Sequence, residues 1–177
     1  MIIGVDKNQL VGSHGASNQW KHAQMVREGA KLLPLRIPFG DYIRVTSQMQ
    51  DLIREVGADN VHKKDLQDLI ELSIDTKKNL QEVCGNICSR QHERFKDELI
   101  RSEGRLILLI EEKEIDTLED VWWWENPRLK KSPRATKGPA LYKSLCTIRD
   151  EYGVDIRFCN RKDTGKEIIR ILGGAHE

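Results

Sequence analysis

The chain has 177 residues, 38% of them hydrophobic, and its 29 Lys and Arg against 28 Asp and Glu leave a formal net charge of +1. That length fits one domain, and that apolar fraction supplies a core and excludes wholesale disorder. No apolar run approaches the roughly 20 residues that span a bilayer. No export signal follows Met1, so four cysteines suit reduced thiols and a cytoplasmic protein without membrane contact.

In chain order, Met1–Asp6 is an apolar run ending on an acid and reads as a buried strand, followed by a Gly/Ser/Asn-rich loop over Lys7–Asn18. Gln19–Ala30 has helical periodicity, Leu32–Phe39 and Tyr42–Val45 read as strands, and Gly40-Asp41 is the turn between them. Ser47–Val56 predicts a helix with a Ser47/Gln50 capping box, and His62–Glu71 a second one. Leu72–Lys77 is a strand. Asn79 and Glu82 then open one long helix whose apolar face is Leu80, Val83, Cys84, Ile87, Phe95 and Leu99. Arg105–Glu112 is the strongest buried strand, and Thr117–Trp124 is a short helix stopped by Asn126-Pro127. Pro139–Tyr152 is helical, Val154–Cys159 is a strand, and Asp163–Leu172 closes as a helix with a Thr164/Glu167 capping box. Strands alternating with helices predict an α/β class, a three-layer α/β/α arrangement around a central mixed sheet.

Net charge near zero argues at first sight against a nucleic-acid partner, but the charge is unevenly placed. Asn126–Arg149 holds Arg128, Lys130, Lys131, Arg134, Lys137, Lys143 and Arg149 and no acid. This segment is therefore +7, and the rest of the chain is −6 against the total of +1. Screening limits exposed charges to roughly 8 Å at physiological salt, so a polyanion senses the local +7 rather than the sum. Pro127, Pro133, Gly138 and Pro139 also permit a plain solvated loop here.

Asp6, Asp41, Asp75 and Lys77 all fall at strand ends. Residues two apart on a strand share a face, which sets Asp75 beside Lys77 and leaves the Thr76 carbonyl free. With an acid from a neighbouring strand, such a site offers two carboxylates, a carbonyl and an ammonium, a donor set suited to a hydrated Mg²⁺ or Mn²⁺. A bare Asp-x-Lys is common, and surface charges at strand ends remain the plainer alternative.

The ordered set Asp6, Gly40-Asp41-Tyr42 and Asp75-Thr76-Lys77 resembles the nuclease domain of XPF-type structure-specific endonucleases of the PD-(D/E)xK superfamily. Leu109-Ile110-Glu111 and the closing strand and helix fit the same pattern, and the resemblance spans almost the whole chain. The wording Gly85-Asn86, His92-Glu93-Arg94-Phe95 and Trp124-Glu125-Asn126-Pro127-Arg128 is similar to compact stand-alone versions from phages and prophages. The resemblance implies a restriction-endonuclease-like core over 1–177, with a helical insertion at 46–71 and a Trp-rich, basic insertion at 117–140. It implies a Mg²⁺- or Mn²⁺-dependent DNA endonuclease acting on branched or structured DNA in a bacterial host cytoplasm, compatible with a homodimer. Asp6, Asp41, Asp75 and Lys77 would be catalytic, with Asp41, Asp75 and the Thr76 carbonyl holding the metal. Arg90, Arg94, Arg128, Lys130, Lys131, Arg134 and Lys137 would contact DNA. The family's Glu-Arg-Lys is Asp-Thr-Lys here, and its Asp-x-Arg-Glu is Asp6-Lys7-Asn8-Gln9. With no helix-hairpin-helix module after Leu172, the domain is expected to bind DNA through its own insertions. A non-catalytic DNA-binding scaffold and an RNA nuclease of the same fold are the alternatives.

Other features have two readings each. Trp122-Trp123-Trp124 cannot all face one core, so one ring is available to stack on a base unless the run packs under the basic loop. Cys84-x-x-x-Cys88 could hold zinc with Cys146 and Cys159, although i,i+4 is also ordinary helix packing. Glu28 is an extra acid on the first helix, and His14, His22, His62 and His176 form no recognisable arrangement.

Overall fold

The structure is a computed structural model and describes residues 1–89 and 91–174. Its strands are β1 (Ile2–Asp6), β2 (Lys31–Leu35), β3 (Tyr42–Arg44), β4 (Ser73–Lys77), β5 (Leu106–Glu111) and β6 (Asp155–Cys159). Its α-helices are α1 (Gly12–Arg27), α2 (Ser47–Val56), α3 (Lys63–Leu66), α4 (Leu80–Cys88), α5 (His92–Ser102), α6 (Gly138–Tyr152) and α7 (Thr164–Leu172). The strands form one mixed sheet in the order β2-β1-β3-β4-β5-β6, the α/β class expected from the alternation of elements. β1 runs parallel to β2, and β5 to β6, each pair joined through a helical crossover, whereas β3 is antiparallel to both β1 and β4. No helix among the described residues is long and apolar enough to cross a membrane.

The chain gathers into two compact units, Met1–Asp75 with Lys162–Glu177, and Thr76–Arg161. In the first, Ile3, Val5, Leu35, Tyr42, Ile43 and Ile74 from the strands are fully buried, as are Met25 of α1 and Ile168 of α7. α1 begins well before the helix read from the sequence, inside the stretch expected to be a loop. Its buried residues are Asn18, Lys21, Gln24 and Met25, so its inward face is largely polar and carries no apolar stripe. Gln24 explains part of this. Its Oε1 accepts from Gly165 N at 2.9 Å and Lys166 N at 3.3 Å, and its Nε2 donates to Lys162 O at 2.9 Å. A side chain about 140 residues away thus caps α7, and the N-cap residue is Asp163 rather than the expected Thr164. Likewise Thr46, not Ser47, caps α2, accepting from Met49 N. The segment expected as a helix over His62–Glu71 is helical only at Lys63–Leu66.

In the second unit β5 is buried at every position, as its Leu-Ile-Leu-Leu-Ile run dictates. The single long helix expected after Asn79 is two helices. Asn79 does cap α4, accepting from Glu82 N at 2.9 Å. Ser89 then turns extended (φ −109°, ψ −174°) and its Oγ accepts from Gln91 N, so α5 starts afresh with its own stripe of Phe95, Leu99 and Ser102. The sequence stripe runs through this break because both helices present apolar residues inward. The expected helix over Thr117–Trp124 is a tighter 3₁₀ turn, Glu119–Trp123.

Candidate active site and nucleic-acid interface

The sheet register places the three aspartates. Val5 pairs with Tyr42, and Tyr42 with Ile74. One residue further along each of these antiparallel strands stand Asp6, Asp41 and Asp75. Asp6 N donates to Asp41 O at 2.8 Å and Asp41 N to Ile74 O at 2.7 Å, so the row continues past the ends of the regular pairing. Directly opposed residues of an antiparallel pair point to one face, which sets Asp41 beside both of its neighbours.

Gly40 makes this turn possible. Its φ is +73°, and a Cβ there would overlap Ser73 Oγ and stand 3.1 Å from Ile74 O. Ser73, fully buried, uses that hydroxyl to donate to Phe39 O at 2.8 Å. The Gly-Asp pair is therefore a steric requirement: the glycine lets the chain pass against β4, and the next residue is delivered into the row.

The carboxylates differ in their surroundings. Asp6 is committed to backbone: its Oδ1 accepts from Asn8 N at 3.0 Å and its Oδ2 from Ile37 N at 3.1 Å. Asp6 therefore ties the start of the 3₁₀ turn after β1 to the segment after β2. Asp41 Oδ1 accepts from Gln9 Nε2 at 2.7 Å, and Gln9 Oε1 accepts from Asn18 Nδ2 at 2.6 Å. Asp75 is 4% exposed and Lys77 8%, while Thr76 between them is half-buried. The alternation along β4 thus sets the acid and the lysine on one side of the strand. Lys77 Nζ lies 5.3 Å from the centroid of the Phe95 ring, a cation–π contact that restrains the ammonium. Glu112 Oε1 accepts from Leu80 N at 2.8 Å and so fixes the start of α4 directly after this strand.

α1 also sets polar groups against Tyr42, the residue after Asp41. Lys21, 3% exposed, places its Nζ 5.9 Å from the Tyr42 ring centroid, and a His22 ring nitrogen is 3.0 Å from Tyr42 Oη. Burial, and then the neighbouring Lys21 charge, lower the His22 pKa to about 4, so the ring is neutral at pH 7. Gln9, Asn18, Lys21 and His22 were not singled out as site residues from the sequence. Their one legible signal is the helical spacing of Asn18, Lys21, His22 and Met25. Glu111, buried at the end of β5 with Arg161 Nε 3.9 Å from its Oε2, was noted only as part of a motif. Glu28 is exposed and serves as the C-cap of α1.

The donor chemistry suits a hard cation. Asp41 and Asp75 are neighbouring oxygen donors on a rigid sheet, and two carboxylates with retained waters suffice for Mg²⁺ or Mn²⁺. Among the described residues no three His, Cys, Asp or Glu side chains gather as a metal cluster, the four cysteines and the three aspartates of the row included. None of the four is in a disulfide, and burial, with a smaller effect of Cys88, pushes the Cys84 pKa up to about 11.

The basic segment is ordered. Arg128, Lys130, Lys131, Arg134 and Lys137 are all exposed, but Asn126 beneath them is buried. Asn126 Nδ2 donates to Thr136 O at 2.9 Å while its Oδ1 accepts from Arg128 N at 3.0 Å. One side chain therefore closes the loop at both ends. Arg94 is exposed on α5, and Arg90 and His176 lie outside the described residues.

Among solved structures, the chain is similar to XPF from Aeropyrum pernix, with 12% identity and a TM-score of 0.57 over 100% of this chain and 63% of that one. It is also similar to XPF from Aeropyrum pernix in complex with DNA, with 12% identity and a TM-score of 0.56 over 97% of this chain and 63% of that one. This chain has an XPF-like fold. It spans less than two thirds of either neighbour's length. No family model matches the sequence, and no curated protein does.

Proposed function

We propose that the protein is a metal-dependent DNA endonuclease of the PD-(D/E)xK kind that hydrolyses phosphodiester bonds in branched or otherwise structured DNA. The observation that carries this reading is the row Asp6, Asp41, Asp75, with Lys77 two residues on along the same strand, in an XPF-like fold. The DNA complex of a structural neighbour and the exposed cations of residues 128–137 support nucleic acid as the substrate. The likeness of the sequence motifs to compact phage and prophage nucleases suits a role in phage recombination, replication or repair.

In this reading Asp41, Asp75 and the Thr76 carbonyl hold Mg²⁺ or Mn²⁺. When bound, the cation supplies Lewis-acid stabilisation of the charge that develops on the phosphodiester. Asp6 acts through the backbone, holding the strand end that aligns Asp41. Gln9 fixes the Asp41 carboxylate with one hydrogen bond. Lys77 orients the attacking water and steadies negative charge as in-line attack proceeds towards a 5′-phosphate and a 3′-hydroxyl. Arg94 and the basic loop hold flanking phosphates. A homodimer would supply the paired nicks that cutting a junction needs.

Labelled flap, fork, four-way-junction, duplex and single-stranded DNA incubated with the protein in Mg²⁺ or Mn²⁺ test the proposal. Cleavage of a branched substrate, reduced at least about 100-fold by Asp75→Ala and by Lys77→Ala in folded variants, is the expected result. No cleavage of any substrate, or variants that cut as well as wild type, would overturn it. A Mn²⁺ titration by calorimetry separates the enzyme from a non-catalytic scaffold, because only the enzyme has a site abolished by Asp41→Ala.

A further inference from the structure

The Trp122-Trp123-Trp124 run does not take part in the chemistry above, and the structure divides its three rings. A 3₁₀ turn advances about 120° per residue, so successive side chains leave in different directions. Trp122 is anchored against Tyr142 of α6, edge to face, with centroids 5.7 Å apart. Trp124 is half-buried. Trp123 is 81% exposed, the most open large apolar side chain among the described residues.

The platform that carries Trp123 is rigid. A Cβ at Gly138, the first residue of α6, would stand 2.6 Å from Trp122 O and 2.7 Å from Trp124 O and Val121 O. Only glycine lets α6 start this close to the turn. Of the two acids within the turn, Asp120 is occupied locally, accepting from Thr117 N at 2.8 Å and Thr117 Oγ1 at 2.9 Å. The basic loop leaves from this turn through Asn126 and returns to it at Gly138, so its five exposed cations are carried on a loop whose two ends meet the turn that holds Trp123. Exposed Glu119 and Glu125 oppose them only in part.

We infer that Trp123 is a stacking platform for an unpaired DNA base, with Arg128, Lys130, Lys131, Arg134 and Lys137 holding the phosphates of the same single-stranded segment. An exposed indole on a turn that also roots a loop of exposed cations is the chemistry that binds single strands, because every base has a face to stack and every nucleotide a phosphate. Intact duplex offers no free base face at this position, so the site selects substrate with an unpaired stretch at a branch. The inference rests on nucleic acid being the ligand of this protein, but not on its being cut.

Fluorescence anisotropy in EDTA, with the full chain and labelled oligo(dT), blunt duplex, and duplex with a dT tail, tests it without cleavage. Trp123→Ala is expected to weaken oligo(dT) and tailed-duplex binding by about tenfold and blunt-duplex binding hardly at all, while Trp123→Phe retains most of the affinity. The salt slope is expected to stay unchanged in Trp123→Ala. It should fall by about 2 in the triple variant Lys130→Ala, Lys131→Ala, Arg134→Ala, as loss of three single-strand phosphate contacts requires. The exposed position of Trp123 leaves the fold intact, which circular dichroism verifies. Equal loss on all three ligands, or no loss on oligo(dT), would overturn the stacking role. A protein that shows the expected binding pattern but cuts nothing keeps this site and loses the nuclease reading.

Discussion

Replacing Gly40 by alanine tests whether the turn before Asp41 is dictated by sterics. At φ +73° an alanine loses about 1–2 kcal/mol to its own backbone. Its Cβ also occupies the place of the buried Ser73 hydroxyl, which must rotate and give up its 2.8 Å bond to Phe39 O. A buried group left without its bond costs about 1–3 kcal/mol more. The expected destabilisation is therefore about 2–5 kcal/mol, a shift of roughly 1–2.5 M in the urea midpoint at an m-value of about 2 kcal/mol/M. Urea denaturation followed by far-UV circular dichroism measures it. Ser73→Ala in the same background removes the overlapping oxygen, but its Cβ stays 3.1 Å from the new methyl group. The double variant should thus recover about 1 kcal/mol relative to the sum of the singles, not the whole loss. A Gly40→Ala protein within 1 kcal/mol of wild type would refute the steric account.

Asn126→Ala removes both closing bonds of the basic loop, so trypsin should cut between Arg128 and Lys137 at least several-fold faster than in wild type. Unchanged digestion would show that the loop is held by something else. Gln24→Ala leaves the buried N–H of Gly165 without its acceptor and should cost about 2–3 kcal/mol in thermal or urea unfolding, with Gln24→Glu recovering part of it. His22 is neutral in the fold with a pKa of about 4, against 6.5 when unfolded. Between these values the unfolded chain binds the extra proton, so stability from this group is complete above pH 6.5 and is lost as pH falls towards 4. After allowance for partial exposure the loss is about 1–2 kcal/mol, and a His22→Gln variant should show a correspondingly flatter pH–stability curve.

The sequence alone determined the elements whose signal is local. The apolar run of β5, the alternation of strands and helices, the Asn79 cap and the glycine before Asp41 are properties of a few adjacent residues, and each is found where those residues place it. The same is true of the +7 segment, since charge is counted without knowing a fold. Alignment of Asp6, Asp41 and Asp75 is different in kind. It depends on which strands pair and in what register, and a one-residue slip would turn the side chains of a strand to the other face. Only the tertiary structure could decide that Asp6 spends both oxygens on backbone, or that Gln9, held by Asn18, reaches Asp41 from a stretch whose composition reads as a loop. Only it could decide that Gln24 caps α7 from the far end of the chain. Buried polar side chains leave no periodic apolar trace, because what makes their burial tolerable is a hydrogen-bond partner distant in sequence. The opening charge balance of +1 therefore concealed two things at different levels. Its basic arm was countable in the sequence, while the loop that presents that arm, pinned by the buried Asn126, exists only in three dimensions.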